Sequence, residues 1–206
     1  MKPTLILLSV LAGVALAADG PLLFYSKSFP GSVPPYVEIS LAKDGKAEYR
    51  EAPGEDNPIQ FQLTPPETEE VFGLVEKAGS LKHPLEAPAK VAFMGTKTFR
   101  YQNGSEKNEV KFNYTQDISA QALQDWFERM AESAQRLIDL ERTAKYDKLG
   151  VVNSLLLLET SLDRKRLVAP EQFLPLLDRI AKNESYMHTA QARAADIAAA
   201  IRNPKP

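Results

Sequence analysis

The chain has 206 residues, with 25 Lys and Arg against 27 Asp and Glu, two histidines and no cysteine. Without cysteine there is no thiol catalysis, no cysteine-ligated metal, no lipid-modified cysteine and no disulfide to staple a small core. The charges are mixed along the chain without a basic stripe, which excludes electrostatic binding to nucleic acid or to an anionic lipid surface.

Residues 1–17 carry the three parts of a secretory leader: Met1-Lys2, an apolar run from Leu5 to Val14, and Ala15-Leu16-Ala17 as an A-x-A cleavage site. The run is shorter than the roughly 20 residues needed to span a bilayer, and Leu155–Leu158 is shorter still. The expectation is an exported bacterial protein, periplasmic or secreted, that begins at Ala18 and has no membrane span after cleavage. The remaining 189 residues are enough to bury well over half of the unfolded chain's surface.

Composition changes near Ser119. Residues 18–118 are expected to form an α+β sheet domain, and residues 119–206 a helical region that can pack on the sheet as one unit. In the first part Val37, Ile39 and Leu41 alternate with polar residues, as in a half-buried strand. Asp44-Gly45 supplies a tight turn, with Ala47, Tyr49 and Glu51 on the return strand. Ile59, Phe61 and Leu63 form a further strand that runs into a helix start. There Thr64 is an N-cap, Pro65 and Pro66 fill the first turn, and Glu67 closes a capping box. Val71, Leu74, Val75 and Ala78 form that helix's apolar stripe, and Gly79 its terminal cap.

A second hairpin follows. Phe99 and Tyr101 lead into a turn at Asn103-Gly104-Ser105, and Val110, Phe112 and Tyr114 return. Ser119 is read as the cap of a long helix with Leu123, Phe127, Met130, Ala134, Leu137 and Ala144 inward and Trp126 clamping it to the sheet. Gly150 interrupts that helix, and Val151–Leu162 resumes it. Pro170 opens another helix, delayed or bent by Pro175, and Glu184–Arg202 forms the last. The fold class is therefore α+β: a small antiparallel sheet of hairpins packed on helices, then a long helix and an antiparallel helical pair.

Candidate chemistry is sparse. Glu67, Glu69 and Glu70 read as first-turn residues that interact favourably with the helix dipole, so no carboxylate site is assigned to them. His83 and His188 stand apart, without nearby ligand spacing, so no metal or cofactor is expected. There is no G-x-S-x-G elbow and no phosphate-binding glycine loop. Asn103, Asn113 and Asn183 begin N-x-S/T sequons. The aromatics Tyr36, Tyr49, Phe99, Tyr101, Phe112 and Tyr114 are the candidate binding face; their other reading is an ordinary aromatic sheet face packed on a helix.

The order Tyr25-Ser26, Pro34-Pro35-Tyr36, a strand, Asp44-Gly45, a return strand with Tyr49 and then Thr64-Pro65-Pro66-Glu67 resembles exported bacterial hairpin–helix–hairpin domains of unknown function. Those are similar in outline to small inhibitor-like and peptidase-regulating domains. The resemblance spans residues 22–115, implies an α+β fold and export, and transfers no functional residue; relatives often carry cysteines near the first strand, which are missing here. The leading functional expectation is a non-catalytic binding module of the envelope or extracellular space, with a protein, peptide or envelope component as partner. The alternatives are a carboxylate-dependent hydrolase of envelope polymers and a scaffold acting through the helical tail.

Overall fold

Period-two burial builds the sheet. In the computed structural model, which describes residues 20–204, six antiparallel strands lie in the order β4-β3-β2-β1-β5-β6. They are β1 (Leu22–Ser28), β2 (Tyr36–Ala42), β3 (Lys46–Arg50), β4 (Ile59–Gln62), β5 (Thr96–Asn103) and β6 (Glu106–Phe112). The leader expected over residues 1–17 lies outside the described residues. β1, which no expected element covered, is a central strand: Tyr25 stands opposite Ile39 of β2 and Phe99 of β5. Val37, Ile39, Leu41, Ala47 and Tyr49 are all buried, as their alternation predicts. Gly45 makes the β2–β3 turn at φ +86°, where a Cβ would lie 2.7 Å from the Leu63 carbonyl oxygen, so glycine is required there.

Helix α1 (Pro65–Lys77) starts at the expected capping box: Glu67 Oε2 accepts from the Thr64 backbone N–H at 2.9 Å, and the Thr64 hydroxyl accepts from Glu67 N. Glu67 alone lies in the first turn; Glu69 and Glu70 fall one turn later, beyond the strongest reach of the dipole. Gly79, at φ +65°, follows the helix and opens a 3-10 turn that seats Leu81 in the core.

Helix α2 (Ile118–Tyr146) begins before Ser119. Asp117, not Ser119, caps it: Asp117 Oδ1 accepts from Ala120 N at 2.9 Å, while Asp117 N donates to Thr115 Oγ1. That anchored carboxylate reaches the free amide first and leaves Ser119 inside the first turn. Then come α3 (Val151–Asp163), a 3-10 turn (Pro170–Phe173) running into α4 (Leu174–Lys182), and α5 (His188–Arg202). Pro175 stands where the 3-10 turn passes into α4, the delay its position predicts. The last helix starts four residues later than expected, because residues 183–187 turn so that Tyr186 is buried and its hydroxyl donates to the Ala144 carbonyl at 2.8 Å.

Two apolar cores share α2. The first joins the inward sheet face, α1 and the α2 residues Leu123, Phe127, Met130 and Ala134. The second joins Leu140 and Ala144 of α2 to α3, α4 and α5. The opposite sheet face is wet and charged, with Arg50 paired to Glu48 and Glu38 and Arg100 to Glu109. Both outer edges are blunted: β4 has only four residues, and β6 presents Lys107, Glu109 and Lys111 to solvent.

Candidate functional site

The six aromatics expected to form a binding face do not form one. Tyr49, Phe99, Tyr101 and Phe112 are buried beneath the helices. They belong to a ring ladder in which Phe99 lies 5.4 Å from both Tyr25 and Phe112, and Phe127 of α2 stacks on Tyr25 at 5.0 Å. Tyr36 has the other strand parity and stands on the wet face, where its hydroxyl donates to Glu38 Oε2 at 2.6 Å; burial and that carboxylate push its pKa up to about 12. Tyr114 lies beyond β6 and is partly exposed. Burying large rings against α2 removes more apolar surface from water than an open platform would, and that decides their place. Trp126 also ties α2 to α1: its Nε1–H donates to Glu70 Oε1 at 3.1 Å, within the core that joins both helices to the sheet.

Where the ladder ends, two adjoining depressions open between α2 and the ends of β1, β2 and β5, with volumes of about 310 and 290 Å³. Lys27 and Glu128 line both of them. On α2 the lining residues are Gln124, Glu128, Ala131, Glu132 and Gln135, a stripe at helical spacing that faces the sheet end. Val33, 98% exposed, flanks the first depression; Val91, Met94 and Tyr114, all exposed, flank the second.

The floor is unusual in charge. Continuing inward from Leu23 and Tyr25, Lys27 takes the next inward position of β1, and its register partner on β5 is Lys97. Two ammonium groups therefore stand opposite each other on the covered face, a pairing that disfavours folding. Lys97 is only 4% exposed, and its Nζ donates to the Asn113 carbonyl oxygen at 2.7 Å. Burial first and the Lys27 charge second lower its pKa, against the opposing pull of Glu128 and Glu86. Neither lysine makes an ion pair within 4.0 Å among the described residues. Glu128 accepts from Gln124 Nε2 at 2.8 Å.

Beside them, Tyr25 is 1% exposed, lines the first depression, and its hydroxyl has no hydrogen-bond partner among the described residues. Burial, reinforced by Glu128, pushes its pKa far up, so it stays a neutral donor. The Glu132 carboxylate is already committed: Oε1 accepts from Ser161 Oγ at 2.7 Å and Oε2 from Arg166 Nε at 3.1 Å, with Arg166 also paired to Asp125. Among the trough's groups without a hydrogen bond are two donors, Tyr25 Oη and Lys27 Nζ, and an acceptor that faces them, the second oxygen of Glu128.

No sequence motif marks these residues. Their one signal was a charged side chain in an apolar phase: Lys97 precedes Phe99 and Tyr101 at period two, and Lys27 follows Leu23 and Tyr25. Among the described residues no group of His, Asp and Glu is placed to hold a metal, and no helix is long and apolar enough to cross a membrane. Asn113 is tied into the loop beside the trough, accepting from Met94 N and donating to the Ala92 carbonyl, whereas Asn103 and Asn183 are exposed. No protein-family model matches the sequence, and a search of curated proteins finds no match to it.

Proposed function

We propose that the chain is an exported, non-catalytic binding module of the cell envelope or extracellular space, whose ligand, a protein, peptide or envelope component, seats in the trough beside α2. The observation that carries this reading is the buried Tyr25 hydroxyl with no partner, next to two lysines that have no ion pair. A folded chain leaves a buried polar group unsatisfied at a cost of about 1–3 kcal/mol, and a bound ligand would satisfy it. Strand addition to the sheet is the poorer mode, since both edges are blunted. A carboxylate hydrolase needs a free acid beside its partner; Glu128 and Glu132 share the trough, but both oxygens of Glu132 are already accepting hydrogen bonds.

The test is capture from an envelope extract by the chain from Ala18 onward, compared with a Tyr25→Phe/Lys27→Ala double variant shown by circular dichroism to keep the fold. A partner retained by the first and lost by the second supports the reading. Identical capture by both rejects it. Export has its own measurement: N-terminal sequencing of the protein recovered outside the cytoplasm should begin at Ala18, and a chain found intact in the cytoplasm would reject that half.

A further inference from the structure

We infer that the trough is built for an extended peptide of about five residues carrying an acidic side chain at its centre, which Lys27 and Tyr25 receive. This deepens the reading above and rests on it. Length comes first. From Gln124 to Gln135 the lining stripe rises about 16 Å at 1.5 Å per residue, the span of roughly five residues of extended chain at 3.3 Å each.

Charge comes second. Within that span, Lys27, shared by the two depressions, offers an ammonium without an ion pair, and Tyr25, lining the first, a hydroxyl without a partner among the described residues. A carboxylate accepting from both would make two charge-assisted hydrogen bonds and relieve the repulsion between Lys27 and Lys97. Glu128, facing the same point, keeps one oxygen free to accept a peptide N–H, so a main chain rather than a free anion completes the set. Of the other nearby acids, Glu132 is engaged by Ser161 and Arg166, and Glu86 by the Asn113 backbone N–H.

The ends come third. Val33, Pro34 and Val37 lie at one end, and Val91, Met94 and Tyr114 at the other, giving apolar seats for flanking side chains. An acidic polysaccharide fits less well, because the rings that would stack on sugars, Tyr49, Phe99, Tyr101 and Phe112, are buried.

The experiment is an NMR titration of the protein from Ala18 onward with two capped pentapeptides, Leu-Ala-Glu-Ala-Leu and Leu-Ala-Gln-Ala-Leu, following the amide signals of Tyr25, Lys27 and Glu128. The acidic peptide should bind about tenfold more tightly than its neutral twin. That preference should vanish in Lys27→Ala and weaken in Tyr25→Phe, each checked for an unchanged fold by circular dichroism. Equal binding of the two peptides, or a preference that survives Lys27→Ala, overturns the inference. So does binding of polygalacturonate at these residues in place of either peptide. If neither peptide binds while extract capture still depends on Tyr25 and Lys27, the peptide inference fails and the trough reading stands.

Discussion

Tyr25 places its ring in the core and its hydroxyl at the trough, and the two ends of the side chain act in opposite senses. The ring stacks on Phe127; the hydroxyl is buried without a partner. Tyr25→Phe keeps the first and deletes the second, so the variant is expected to be more stable by about 1 kcal/mol. A urea midpoint that does not rise would show that the hydroxyl is satisfied in solution. Lys97 gives a pH signature. Its folded-state pKa lies below the ordinary 10.5, so between the two values the unfolded chain binds more protons and stability rises with pH. Tyr25 and Tyr49 are raised from 10.0, mainly by burial, so their contribution is intact below 10 and is lost as pH climbs above it. Stability is therefore expected to climb and then fall in alkaline solution. In Lys97→Met the rising limb should disappear, and a rise that persists would assign it to another group. Lys27 and Lys97 were legible as charges in an apolar phase, yet pattern alone does not show that they are register partners. That pairing depends on β1 lying between β2 and β5, a long-range choice.

At the scale of elements, local chemistry set the boundaries wherever one side chain had no competitor. The Thr64–Glu67 box closes within four residues and was readable directly; Thr64→Ala is expected to cost about 1 kcal/mol, seen as a lower urea midpoint at unchanged slope. At α2 two candidates competed, and Asp117 prevailed over Ser119 because Thr115 holds its backbone. Residues 184–187 have good helix formers around them, but burying Tyr186 against Ala144 outweighs propensity there. Such tertiary gains leave no local trace in sequence. Ser133 shows the same thing within a helix. It is fully buried, and its Oγ accepts from Val168 N at 2.8 Å, joining α2 to the segment before α4. Ser133→Ala leaves that amide unpartnered and is expected to destabilise by about 1–3 kcal/mol; a loss below a few tenths would mean that the segment finds another acceptor.

For the whole molecule, the composition break near Ser119 marks where strands give way to helices but not where one core gives way to another. The α+β class and the order of helices were legible because they follow from period and capping. The division of packing was not, since Ile138 packs on the first core and its neighbour Leu137 on the second, along one unbroken helix. Neither core is complete without α2. Loss of Trp126 fluorescence, which reports the first core, and loss of far-ultraviolet circular dichroism, dominated by the helices, are thus expected to coincide in urea. Two separated transitions would mean that α2 breaks between the cores.

The same continuity gives the trough a reach beyond its walls. A ligand seated against Glu128 and Glu132 clamps α2 at its midpoint, and the far half of that helix carries α3, on which α5 and then α4 pack. Occupancy should then slow hydrogen exchange at amides of α4 and α5, which no ligand in the trough touches. A tail that exchanges at the same rate with and without ligand would show that the two halves, though built on one rod, do not feel each other.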